Sequence, residues 1–202
     1  MSQFAARWSA GYLEQLTAPL LQLKSERRAS FDPPLDLRGI RLPDENFPAD
    51  LWIAELQRAD IEGIDFSYAT VGANLGEAKL RNIRFDFAKL DRVNFSKARM
   101  ECCSFKSANL IVRMNDTIVE STDFTAAKFG GTSSAQEFGG RRTTFVGCNF
   151  DGALFRRVEF RASKFTNCTF VNAKFEKSDL RGAKFAGSAP EAAQFEDCVA
   201  SQ

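Results

Sequence analysis

From residue 143 to residue 185 a large apolar residue recurs at every fifth position: Phe145, Phe150, Phe155, Phe160, Phe165, Phe170, Phe175, Leu180 and Phe185. The residue two before each is small. A helix would spread this period around its whole cylinder, and a strand would throw it alternately to both faces, so neither can bury it. A chain that turns a corner every five residues can. Each short flat segment then points the large residue and the small one two before it inward, because strand side chains alternate.

Traced backward, the period begins at Leu37 and passes through Leu42, Phe47, Leu51, Leu56, Ile61, Phe66 and Val71, with later central positions as far as Phe129. The steps from 47 to 51, 71 to 75 and 110 to 114 take four residues instead of five. If each irregularity keeps the count, one face collects Phe47, Phe66, Phe85, Phe105, Phe124, Phe155 and Phe175, with Phe195 as a further member. That register predicts a single phenylalanine ladder with a rise of about 4.8 Å per ring. It also gathers two short steps and the loop 130–140 at one edge of the prism.

The triplets Ala173-Lys174-Phe175, Ser178-Asp179-Leu180 and Ala183-Lys184-Phe185 resemble the pentapeptide-repeat family, whose pattern is A-(D/N)-L/F-x-x. The resemblance implies an all-β fold, a right-handed quadrilateral β-helix of about seven coils, and a role in binding or mimicking another macromolecule. It names a topoisomerase, DNA gyrase, as one partner, with antibiotic resistance as the outcome. In gyrase-protecting members the C-terminal end forms a homodimer, so that end is the place to expect one here.

Residues 1–34 are expected to form a helical cap and linker, with Phe4, Trp8, Leu13, Leu16, Leu20 and Leu23 at helical spacing and Thr17-Ala18-Pro19 restarting the helix. A cap covers the bare sheet edge that an open coil would expose. The linker is 28–34, the β-helix 35–187, and 188–202 a C-terminal cap or tail in which Ser188 and Glu191 suggest a short helix.

Twenty Phe stand against two Tyr, as a narrow interior with a fully paired backbone would favour. The chain has no His, which removes the commonest metal ligand and general base; no catalytic, cofactor or metal residue is assigned, and a non-enzyme is expected. Five Cys make no disulfide framework. Cys148 and Cys168 fall on successive coils of one face, as a bridge or as two buried thiols. No apolar run is long enough to cross a membrane, so a cytoplasmic protein is expected.

Asp and Asn before the central residue, among them Asp65, Asn94, Asp123 and Asp179, are expected to bond turn amides. Charge is banded: residues 37–78 carry three Arg against eight acids, and residues 141–185 ten Lys or Arg against four. The candidate basic patch is Arg156, Arg157, Arg161, Lys174, Lys177 and Arg181. It would take an acidic partner or phosphates, although nucleic acid is disfavoured because no exposed aromatic residue interleaves with it. The candidate interface is Trp52, Ile53, Tyr68 and Phe87, apolar residues that point outward unless the N-terminal helix covers them. The candidate functional loop comprises Gly130, Gly131, Thr132, Ser133, Ser134, Ala135, Gln136, Glu137, Phe138, Gly139 and Gly140. Another protein is the expected partner.

Overall fold

A computed structural model describes residues 10–42, 55–130, 138–191 and 194–200. The chain winds as a four-sided β-helix whose first and third faces are parallel sheets, each of eight strands among the described residues. Single bridges in register close most of the other two, such as Asn74 with Asn94 and Asp123 with Asn149. Each coil therefore finds its backbone partners one coil away, as in Leu75 N to Asn94 O at 2.7 Å and Lys89 N to Ala69 O at 2.8 Å. Corners form where the residue two past the central one turns left-handed, for example Lys97 at φ 62° and Arg157 at φ 54°. Such a conformation costs an L-residue about 1–2 kcal/mol, so the core and ladder must outweigh it at corner after corner.

The core does so with rings. Phe66, Phe85, Phe105 and Phe124 stack in a column on the second face, which continues with Phe150 at 5.0 Å and Phe170 at 5.3 Å. The third face carries Phe129, Phe155, Phe175 and Phe195, with centroids 4.7, 4.4 and 4.9 Å apart. Phe145, Phe165 and Phe185 form a third column, on the first face.

The single ladder expected from the sequence is therefore corrected: its members up to Phe124 lie on the second face, and Phe155, Phe175 and Phe195 on the third. Gly140 causes the slip. It is buried on the fourth face, where its N–H donates to Glu159 O at 2.7 Å and Met114 N donates to Gly139 O at 2.7 Å. The stretch 130–140 thus ends in a central position filled by a glycine, and the next central residue, Phe145, belongs one face further on. At the other end Leu37, not Phe47, lies beneath Phe66, with Leu37 N donating to Asp65 O at 2.8 Å; Phe47 and Leu51 fall outside the described residues.

The steps 42 to 56, 71 to 75, 110 to 114 and 129 to 140 all fall at the edge between the third and fourth faces. A four-residue step omits the left-handed corner residue: Arg92 has no counterpart between Ile111 and Val112. The first strand carries a separate bulge between Ser30 and Leu35.

The helix Ala10–Glu26 runs unbroken through Pro19, so no restart occurs at Thr17. Leu16, Leu20 and Leu23 are buried, and Tyr12 Oη donates to Asp36 O at 2.8 Å, placing the helix over the first coil. Residues 28–34 are not a linker but belong to the strand Arg28–Asp36, paired in parallel with Asp60–Asp65. Near the C terminus a further strand, Phe195–Glu196, pairs with Lys174–Glu176; part of the segment where a short helix is expected after Ser188 lies outside the described residues. Gln194 Nε2 donates to Phe170 O and Ala173 O, at 2.6 and 2.8 Å.

Small inward slots on the second face hold Cys103, Thr122, Cys148 and Cys168, and all five cysteines are free thiols. Cys148 Sγ donates to Val119 O at 3.5 Å. The neighbouring Cys168 sulfur, and then burial, hold the Cys148 thiol well above its ordinary range, and burial pushes Cys103 up to about 12.

Three expectations follow from this packing. Phe155→Ala lowers the unfolding free energy by about 3–5 kcal/mol in denaturant titration, because the ring is fully buried between Phe129 and Phe175. A Cβ on Gly140 would lie 2.1 Å from Thr143 Oγ1 and 2.7 Å from Met114 O, so Gly140→Ala costs about 1–3 kcal/mol. An unfolding free energy unchanged by Gly140→Ala would show that space is not what selects glycine there. In native protein at about pH 8 an alkylating reagent modifies exposed Cys102 first and spares Cys103, Cys148 and Cys168 until unfolding; comparable native rates would contradict the burial.

Candidate interaction surface

Tyr68 and Phe87 occupy the left-handed corner position that follows Phe66 and Phe85, with φ of 61° and 59°. Their amides are committed to the next coil, Tyr68 N to Asp86 O and Phe87 N to Lys106 O, both at 2.8 Å. The side chains are thereby held outside at the edge between the second and third faces. Their rings stack 4.9 Å apart at 8°, yet remain 41% and 52% exposed. Bulky residues seldom adopt this conformation, and here the strain serves no core contact. The terminal helix leaves both rings exposed. Trp52 and Ile53, the other two members of the expected cluster, lie outside the described residues.

The candidate loop leaves the third face at Gly130, where a Cβ would fall 1.9 Å from Arg156 O. Residues 131–137 lie outside the described set. The chain returns at Phe138, whose carbonyl accepts Glu159 N at 2.9 Å, and then buries Gly139 and Gly140. At the foot of the loop is a polar cleft of about 260 Å³ lined by Arg113, Asn115, Arg141, Glu159 and residues 138–140. Sequence reasoning missed Arg113, Arg141 and Glu159 here. The signal available was Gly140-Arg141, which repeats the pairing of Phe160-Arg161 and Leu180-Arg181.

The candidate basic patch divides between two faces. On the fourth, Arg141 holds Glu159 at 2.8 Å, Arg161 bridges Glu159 and Asp179, and Arg181 holds Asp179 at 2.6 Å. This ladder of ion pairs neutralises much of the charge, and the Arg181 hydrogen bond keeps the Asp179 carboxyl below the usual carboxylate range. Arg156, Arg157, Lys174 and Lys177 belong to the third face, where Arg156 pairs with Glu176 at 2.6 Å. The Asp and Asn residues before central positions act in turns: Asp65 accepts Ser67 N, Asn94 accepts Ser96 N, Asp123 accepts Thr125 N and Asp179 accepts Arg181 N, at 2.9 to 3.1 Å. Among the described residues no helix is long and apolar enough to cross a membrane.

The family model for pentapeptide repeats matches residues 71–106 and 141–170, in eight copies. Among curated proteins none matches the chain in sequence. Similar solved structures include a trypsin-treated form of QnrB1, a plasmid-mediated fluoroquinolone resistance protein. It is 15% identical, with 86% of this chain and 92% of that chain covered, at a TM-score of 0.52. HetL, a pentapeptide repeat protein involved in heterocyst differentiation regulation from the cyanobacterium Nostoc sp. strain PCC 7120, is 14% identical, with 94% of each chain covered, at a TM-score of 0.42. At these identities the likeness to QnrB1 shows the fold alone. The matched stretches, residues 71–106 and 141–170, are pentapeptide repeats, and they lie on the same four-sided coil as the rest of the described core.

Proposed function

We propose that this protein is an interaction module that binds another protein and performs no catalysis itself. The observation that carries this reading is the Tyr68–Phe87 stack, two exposed rings fixed by strained corners on a rigid coil. Pre-organised aromatic side chains lose little entropy on binding, which is why they dominate protein interfaces. The packed interior supports the same reading, since ring columns take the space that a substrate pocket would need.

A second reading, topoisomerase protection by duplex mimicry, draws on one specific feature. Asp36, Asp65, Asp86, Asp123 and Asp151 line the outside of the second face from the first coil upward. Arg38, Arg84 and Lys106 interrupt the row, so mimicry of a duplex would be partial.

Affinity capture with wild-type protein and a Tyr68→Ala/Phe87→Ala variant tests the first reading. A protein held by the wild type should fall about tenfold in recovery with the variant, the effect of losing one hot spot. Identical recoveries from both would overturn the assignment. For the second reading, the protein should restore supercoiling by drug-inhibited gyrase, and deletion of residues 131–137 should abolish the effect; no restoration at any concentration refutes it.

A further inference from the structure

The outer surface of the third face carries a row of cations that the sequence does not display as a row. In the register of that sheet Arg41 lies opposite Thr70, Thr70 opposite Lys89, and Lys89 opposite Asn109. Asn109 lies opposite Lys128, Lys128 opposite Leu154, and Leu154 opposite Lys174. A cation therefore recurs at every second coil, separated each time by an uncharged residue. Like charges on directly opposed residues would repel, and the alternation avoids this while keeping the row straight.

Arg41, Lys89, Lys128 and Lys174 are all exposed, and none makes an ion pair among the described residues. The contrast with the neighbouring faces is sharp, because Arg38 and Lys106 on the second and Arg141, Arg161 and Arg181 on the fourth each hold a carboxylate. The far border of the third face adds Arg92, Arg157 and Lys177, opposed by Asp91, by Glu196 and by Glu176, which Arg156 engages. Its near border is the corner that carries Tyr68 and Phe87, each two residues before a position of the row, Thr70 and Lys89. Cations and exposed rings thus share one surface.

We infer that this surface receives an acidic α-helix of a partner protein, laid along the rod. The inference rests on the reading of the chain as an interaction module and specifies its partner. Two coils advance about 9.6 Å, and seven residues of helix advance about 10.5 Å. Carboxylates at heptad spacing consequently keep pace with four cations, and the accumulated mismatch of about 3 Å is within the reach of flexible lysine stems. A helix drifts only about 20° per heptad, so its acidic stripe stays over a flat face. Duplex phosphates wind around their axis and leave a straight row after a short contact, which favours the helix over nucleic acid. Apolar residues beside the acidic stripe meet Tyr68 and Phe87.

The test uses full-length protein and three probes in NMR titration at low ionic strength. They are a helical peptide of about four heptads with one aligned Glu per heptad and leucines along one flank, a peptide of the same composition with its Glu residues distributed around the helix, and a DNA duplex of similar length. The aligned peptide should bind about tenfold tighter than the redistributed one and shift resonances of Lys89, Lys128, Lys174, Tyr68 and Phe87. A Lys89→Glu/Lys128→Glu/Lys174→Glu variant, with melting unchanged, should lose this preference. Equal binding of both peptides, or tighter binding of the duplex, would overturn the inference. If no peptide binds while the Tyr68→Ala/Phe87→Ala variant still loses a captured protein, the acidic helix is wrong and the interaction module stands.

Discussion

Everything in this molecule follows from the backbone ladder between successive coils. It fixes a rise of about 4.8 Å, and the ring columns accept that rise: Phe129, Phe155 and Phe175 stack at 4.7 and 4.4 Å because their backbones are already paired. Offset stacking of aromatic rings is favourable near this spacing, by about 0.5–1.5 kcal/mol per pair. Hydrogen bonding and side-chain packing therefore reinforce one another at each turn. Their joint contribution offsets corners that place Arg, Lys and even Tyr and Phe in the left-handed region.

The fold was legible in the sequence because a five-residue period of Phe has few physical solutions. Turn chemistry was legible for the same reason, since an Asp or Asn before each central residue can reach the amide two residues on. The register across residues 130–140 was hidden. Gly140 occupies a core position without any apolar signal, so counting large residues skips a face and joins Phe124 to Phe155 instead of Phe150. The strand Arg28–Asp36 was obscured by its bulge, which breaks the period with an eight-residue step from Ala29 to Leu37. On the surface Tyr68 and Phe87 could be placed from their equivalent positions, whereas the face that each charge occupies depended on the corrected register.

A rod of this kind sorts charge by position within the repeat. Residues adjacent in sequence turn to different faces, while residues about twenty apart become neighbours. Bands of net charge along the chain consequently say little about the field that a partner meets. Glu159 and Asp179 sit among the most basic residues of the sequence, yet with Arg141, Arg161 and Arg181 they leave the fourth face largely self-satisfied. The third face, drawing on the same stretches, keeps its cations exposed.

The edge between the third and fourth faces behaves as the seam of the coil. Four-residue steps and an eleven-residue step occur there without disturbing the ring columns above and below, because a change in contour length at this edge is completed before the chain re-enters the fourth face. Addition or loss of residues at the seam is thus decoupled from the core. A chain with this architecture can diversify what it displays along one line while its interior stays the same, and the cost of each experiment in sequence is confined to a single coil.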